Sequence, residues 1–372
     1  MAENPTQRVV PTQIANTIGI AARSQTRRSS RMPRRKALAM TVFALLLASA
    51  SAAQPSGPEG NLPLPPDALE HRLQYGRFEI TAVGDTHGRG ILSRALMDVH
   101  KLTLVFPEDG FSTGAKWRAA PGSGEGWDNS PRREIAAYAV QQLFLDPAEY
   151  VVPPTAARCI DLATYGPINS HPQPTFPDTR CVFGVLAAWL QHIETPDDAL
   201  ESERFSRDLR YAYSFGNVNI FTYLIAHRDA SVTNFVISTD PNNPQLFSID
   251  NGIAFSGMLY NFFVPQFDHI VVGGLPQRTV DRLRRLTPTD FERLGAIDEL
   301  RAGADGVLRS VPPSANADPD EGTRLFANGI QLGLTRSEID AMKRRWHQLL
   351  DRIDRGELPT FDAPLASTRP SP

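Results

Sequence analysis

The chain has 372 residues, 41% of them hydrophobic, with 38 Lys or Arg against 41 Asp or Glu and a net charge of −3. That length and apolar content fit one large domain or two lobes around a substantial core. Eight of the basic residues and one acid precede Gln54, so the remainder holds 30 basic against 40 acidic residues, a formal charge of −10. Such a surface argues against nucleic acid as a partner.

Residues 1–53 read as an N-terminal extension and signal peptide. The cluster Arg34, Arg35, Lys36 is followed by an apolar run from Ala37 to Ala50 and by the small residues Ser51, Ala52 and Ala53. Basic region, short apolar core and small-residue cleavage site is the order of an export signal, and the run is short of the roughly 20 residues that span a bilayer. The expected location is periplasmic or secreted after cleavage, with no transmembrane anchor. Residues 54–66, with five prolines, read as a linker, and residues 359–372 as a disordered tail.

The folded body is expected over 67–358. Strands are predicted at Arg77 to Val83, Lys101 to Phe106 and Phe111 to Arg118. In the third, alternation puts Phe111, Thr113, Ala115 and Trp117 on one face and Lys116 on the other. A helix is predicted to start at Ser130 as cap with Pro131 in its first turn, burying Ile135, Tyr138 and Ala139. Further helices are expected at Asn217 to Ala226, Thr287 to Leu300 and Thr335 to Arg355, the last with a Thr335–Glu338 capping box and Gly356 as its stop. Strands first and helices later predict an α+β fold of two lobes, an N-lobe of about 67–185 with an antiparallel sheet and one helix, and a mainly helical C-lobe of about 186–358. Cys159 and Cys181, the two cysteines, either close a disulfide or stand as separate buried thiols.

The chemistry concentrates in His227, Arg228, Asp229 and, five residues after the Asp, Asn234, followed by the apolar Phe235, Val236 and Ile237. Phosphoryl transfer needs a carboxylate to orient the attacking hydroxyl and an amide oxygen for a metal ion, and this spacing supplies both. Leu246 to Gly252 then reads as a short strand delivering Asp250 into a tight turn, where it can hold Mg2+ against phosphates. Upstream, Lys116 on a strand and Glu134 on a helix occupy the places of a phosphate-binding lysine and its acidic partner. Each match has a plainer meaning alone; their order and spacing make the case together.

With these residues in place, the sequence resembles the atypical protein-kinase-like families that include HipA-type kinases, four-jointed-type secretory-pathway kinases and phosphatidylinositol kinases. The resemblance is carried by Gly110 to Arg118, Arg133 to Tyr138 with Val152 to Pro154, His227 to Phe235, and Ile249 to Phe255. It implies an ATP- and Mg2+-dependent kinase, with Mn2+ as the alternative metal, and a hydroxyl acceptor that is a protein, a lipid head group or a small molecule. It further implies Lys116 on the nucleotide phosphates, Glu134 as its partner, Asp229 as catalytic base, and Asn234 and Asp250 on the metal. Gly84, Gly88 and Gly90 would cover the phosphates, and Phe183 to Trp189 would form the hinge along the adenine. The chain departs from ordinary protein kinases in lacking an Ala-Pro-Glu element after Asp250. Two rival readings are a kinase-shaped binding or scaffold protein without turnover and a metallophosphoesterase built on Asp85 and His87.

Overall fold

The computed structural model describes residues 60–85, 99–126, 129–198, 200–228, 230, 232–255 and 269–362. The expected export signal, most of the linker, Gly88, Gly90, Asp229 and most of the expected tail lie outside these residues. The fold is mixed α+β, with seven α-helices among the described residues and sheets that are antiparallel except for one short pair.

The alternating apolar residues of the first third make the strands expected of them. β1 (Glu79–Asp85), β2 (Val99–Phe106), β3 (Phe111–Ala119), β4 (Thr155–Asp161) and β5 (Cys181–Ala188) form an antiparallel sheet in the order β1-β2-β3-β5-β4. Gly110, at φ 71°, closes the β2–β3 hairpin in a conformation that costs glycine little. One face of this sheet, through Leu102, Leu104, Phe106, Ala115, Trp117 and Leu186, buries α1 (Pro66–Tyr75) by way of Leu69 and Leu73. The linker therefore ends earlier than expected, because Asn61 is already folded in, its amide donating to the carbonyls of Gln191 and His192 at 2.9 and 3.1 Å.

β5 is buried along nearly its whole length, which alternation alone does not predict. The reason lies far along the chain. β10 (Asp298–Ala302), β11 (Leu308–Val311), β12 (Thr323–Phe326) and β13 (Gly329–Leu332) form a second antiparallel sheet, ordered β11-β10-β13-β12. Its Leu300, Leu308, Ile330 and Leu332 pack on Phe183, Cys159, Cys181 and Ile135, so β5 is covered on both faces. This corrects the helix expected from Thr287 to Leu300. A short helix α6 (Pro288–Glu292) does start at Thr287, with the Thr287–Asp290 capping box, but ends in a 3-10 turn at Arg293–Gly295. A Cβ on Gly295 would lie 2.7 Å from Asn316 Nδ2, so a larger residue there would have to displace that side-chain amide.

Cys159 and Cys181 are joined by a disulfide between β4 and β5, with Cα atoms 5.3 Å apart. The bond closes a 22-residue span. Replacing both cysteines by Ser is expected to cost about 3 kcal/mol on the chain-entropy scale. Urea denaturation of the wild type and the double variant would measure it, and equal midpoints would show that the bridge contributes nothing.

Around these sheets the remaining elements are mostly helical. α2 (Pro131–Gln141) starts where expected, but Ser130 does not cap it; its hydroxyl instead donates to Glu125 Oε1 at 3.0 Å. After α3 (Ser202–Arg207), α4 (Leu209–Leu224) starts eight residues earlier than predicted because Asp208 caps it, accepting from the N–H groups of Arg210 and Tyr211. From Phe215 to Leu224 every residue of α4 is buried, so it forms the axis of the largest core. α5 (Gln277–Arg285) contributes Val280 and Leu283 to that core, and α7 (Arg336–Asp354) contributes Ile339, Met342, Trp346 and Leu349. α7 keeps its predicted capping box, and Gly356, at φ 73°, follows its end. A third antiparallel sheet joins β6 (Ile193–Glu194), β7 (Phe235–Ser238) and β8 (Leu246–Ser248). β9 (Leu275–Pro276) pairs in parallel with β14 (Thr360–Phe361), so the ordered chain runs past Leu358 into the expected tail. Among the described residues no helix is long and apolar enough to cross a membrane.

Where α1, β4 and β10 meet, Asp298 is only 3% exposed and bonds to the side chain of Gln74 and the backbone of Glu299 and Ala157. Burial pushes its pKa up from 3.8 to about 7, against those hydrogen bonds. Between these two values the folded chain holds a proton that the unfolded chain has lost, so this group lowers stability as pH rises from about 4 to 7. Buried His227 works the other way. Its pKa falls from 6.5 to about 4, so the unfolded chain binds the extra proton and stability rises with pH across that window. The two slopes oppose, and only a variant separates them. Asp298→Asn is expected to match the wild type at pH 4 and to exceed it at pH 8 by up to roughly 4 kcal/mol. Urea unfolding at the two pH values checks this, and an unchanged difference between them would reject the buried proton.

Candidate functional site

Lys116 sits mid-strand in β3, opposite Lys101 of β2 and Ala187 of β5. Its neighbours Ala115 and Trp117 are fully buried on the α1 side, which directs Lys116 to the other face, as alternation predicts. On that face its ammonium pairs with the Asp250 carboxylate, 134 residues away in sequence. The lysine side chain is 23% exposed and that of Asp250 45%.

Asp250 arrives as the sequence suggests. β8 leads through Ile249 to Asp250, which takes left-handed backbone angles (φ 59°, ψ 52°) ahead of a 3-10 turn at Asn251–Ile253. Asp and Asn tolerate this region better than most residues. The turn is held at two points. Asn251 Oδ1 accepts from the Ser248 hydroxyl at 2.9 Å, and the Asn251 N–H donates to Glu134 Oε2 at 3.1 Å.

Glu134, on the first turn of α2, therefore has a different hydrogen-bond partner from the one predicted. It anchors the backbone beside Asp250 and acts on Lys116 through its charge. Burial pushes the Lys116 pKa down, the charge of Glu134 counters that, and Arg118, two residues further along β3, adds to the depression. The direct pairing of Lys116 goes to Asp250, and Glu134 braces the turn that presents it.

Asn234 ends a 3-10 turn at Val232–Asn234 and leads into β7. Phe235 pairs with Ser248, and the Ile249 N–H donates to the Asn234 carbonyl at 2.9 Å. The β7–β8 pairing thus brings Asn234 and Asp250 to the same end of one hairpin, an adjacency that the sequence spacing alone did not give. Asp229 lies outside the described residues. Two positions earlier in the chain, His227 is fully buried beside the Ile249 backbone and held neutral by desolvation, its pKa lowered to about 4.

Of the three candidate phosphate-loop glycines, Gly84 lies within β1 opposite Lys101, so it is strand rather than loop; Gly88 and Gly90 lie outside the described residues. The expected hinge is also mostly strand. Phe183 to Ala188 belong to β5, and only from Trp189 does the chain leave the sheet. The Trp189 N–H donates to the Gly114 carbonyl at 3.0 Å, and Lys101 Nζ stands 4.2 Å from the centre of the Trp189 ring. A Cβ on Gly114 would lie 2.9 Å from that of Trp189, so this crossing requires a glycine.

Sequence reasoning missed what supports α2. Arg132 is 5% exposed, and its guanidinium donates to Glu125 at 2.8 Å and bidentately to Glu338 at 2.7 and 3.1 Å. The one signal was Glu338 itself, recognised as a cap residue but not as an ion-pair partner. Among the described residues no group of three or more His, Cys, Asp or Glu is arranged to hold a metal ion. A metal here would rely on oxygens from Asp250 and Asn234 together with a ligand, a donor set that suits a hard cation such as Mg2+. No protein-family model matches this chain, and comparison with well-characterised proteins gives no significant match.

Proposed function

We propose that this protein is an exported, atypical kinase that transfers the γ-phosphoryl group of ATP to a hydroxyl acceptor in the presence of Mg2+ or Mn2+. The observation that carries this reading is the convergence of Lys116, Glu134 and Asp250, from three separate elements, on one point. In a kinase-like arrangement the five-stranded sheet with α2 corresponds to the N-lobe and the mainly helical part to the C-lobe.

When bound, ATP supplies the phosphoryl group and the metal ion neutralises phosphate charge, held by Asp250 and Asn234. The residues of the chain bind and orient. Lys116 exchanges its pairing with Asp250 for the nucleotide phosphates, Glu134 keeps the Asp250 turn in place, and Asp229 accepts the proton of the attacking hydroxyl. The partial exposure of Asp250 leaves its carboxylate open to such an exchange.

Calorimetric titration of ATP, with and without Mg2+, into the wild type and Asp250→Ala tests the reading. Metal-dependent binding in the wild type and its loss in the variant are expected. Absence of binding to both would reject the proposal and favour a kinase-shaped binding protein.

A further inference from the structure

Lys116 shares its face of the sheet with a second lysine. In the β2–β3 register Lys101 stands directly opposite it, with Gly84 of β1 beyond Lys101 and Ala187 of β5 on the far side of Lys116. Alternation divides the sheet here. Leu102, Leu104, Ala115 and Trp117 are buried on the α1 side, while Lys101, Gly114, Lys116 and Ala187 stay half-buried on the other. Side chains directly opposite on antiparallel strands start about 5 Å apart, and like charges in that position destabilise the pair. The two ammonium groups take different partners. Lys116 goes to the Asp250 carboxylate, and Lys101 to the Trp189 ring, its Nζ 4.2 Å from the ring centre. Trp189 is seated on this same face, because its Cβ lies 2.9 Å from where a Cβ on Gly114 would point and its N–H donates to the Gly114 carbonyl at 3.0 Å. Lys101 is therefore drawn along the face that carries Lys116.

The two partners differ in what they do to the charge. A carboxylate neutralises an ammonium, whereas an aromatic face attracts it without cancelling it. The charge of Lys101 is thus available to an anion that enters beside Lys116. In the kinase reading that anion is the phosphate chain of ATP, which carries more negative charge than one lysine balances. We infer that Lys101 is a second phosphate-binding residue of this site, moving from the Trp189 ring to a nucleotide phosphate as Lys116 moves from Asp250. A lysine suits such an exchange, being a point charge with three rotatable donors on a flexible stem. The inference rests on the kinase reading and adds to it a named source of affinity for the phosphate chain.

Calorimetric titration in the presence of Mg2+, with ATP and separately with inorganic tripolyphosphate, compares the full chain with Lys101→Met and Lys101→Arg. Lys101→Met is expected to weaken both ligands about tenfold or more, the scale of one charge-assisted hydrogen bond. Tripolyphosphate has neither base nor sugar, so a loss shared by both ligands locates the contact on phosphate. Lys101→Arg keeps the charge and should stay within about threefold of the wild type. ATP that binds the wild type and Lys101→Met equally overturns the inference and spares the kinase reading. A loss confined to ATP, tripolyphosphate that fails to bind, or a loss as large in Lys101→Arg as in Lys101→Met also overturns it. No ATP binding to the wild type overturns the kinase reading and the inference together. If Lys101→Met does not fold, Lys101→Gln replaces it, with the same outcomes.

Discussion

Replacing Lys116 with Met is expected to lower phosphoryl-transfer turnover by about a hundredfold or more, the usual cost of removing one charged group that stabilises a developing phosphate. The fold should survive. Met keeps the length of the side chain on the β3 face, and the Asp250 carboxylate left behind is 45% exposed and can turn to water. Asp250→Ala poses the complementary question. There the ammonium loses its contact partner but keeps the charge of Glu134 nearby, so the protein should again fold while metal-dependent ATP binding falls. Measuring turnover, ATP affinity and thermal unfolding for both variants separates the roles. The lysine variant should lose rate, the aspartate variant should lose affinity for the metal complex, and neither should unfold early. Wild-type turnover in both would remove these residues from the chemistry.

Much of the site's scaffold was legible in the sequence because it rests on local rules. The alternation of Ala115, Lys116 and Trp117 gave both the strand and the direction of the lysine, and Pro131 placed the helix that carries Glu134. Leu246 to Gly252 read as a strand followed by a turn, and the left-handed Asp250 agrees. What the sequence could not give was distance. Lys116 and Asp250 meet across 134 residues, and no local pattern states that Glu134 bonds to the Asn251 backbone rather than to the lysine. The second sheet escaped for a related reason. Its strands β11, β12 and β13 have four residues each and β10 five, too short for alternation to stand out, and their apolar partners lie on β4 and β5, over a hundred residues earlier. The disulfide stayed open until β4 and β5 were seen to be neighbours.

The same long-range logic makes Glu338 a strong point of the fold. Its carboxylate has two tasks, accepting the Thr335 N–H at 2.9 Å as part of the α7 cap and receiving both terminal nitrogens of Arg132. Arg132 in turn belongs to the first turn of α2, two residues before Glu134, and its second partner, Glu125, also accepts from the Thr323 hydroxyl at 3.0 Å. One buried ionic network thus ties α2, α7 and the second sheet together. Glu338→Ala is expected to destabilise the protein by about 3 to 5 kcal/mol, because it leaves a buried guanidinium half-compensated and removes the cap at once. Replacing both partners, Arg132→Met with Glu338→Leu, should recover only part of that loss, since it removes the Arg132–Glu338 pair together but also takes Arg132 from Glu125 and Glu338 from Arg133, whose guanidinium lies 3.5 Å from it. Urea unfolding of the two single variants and the pair gives the coupling directly. A Glu338→Ala loss below about 1 kcal/mol, in the range of an exposed pair, would show that the network is solvated and does not hold α2 in place.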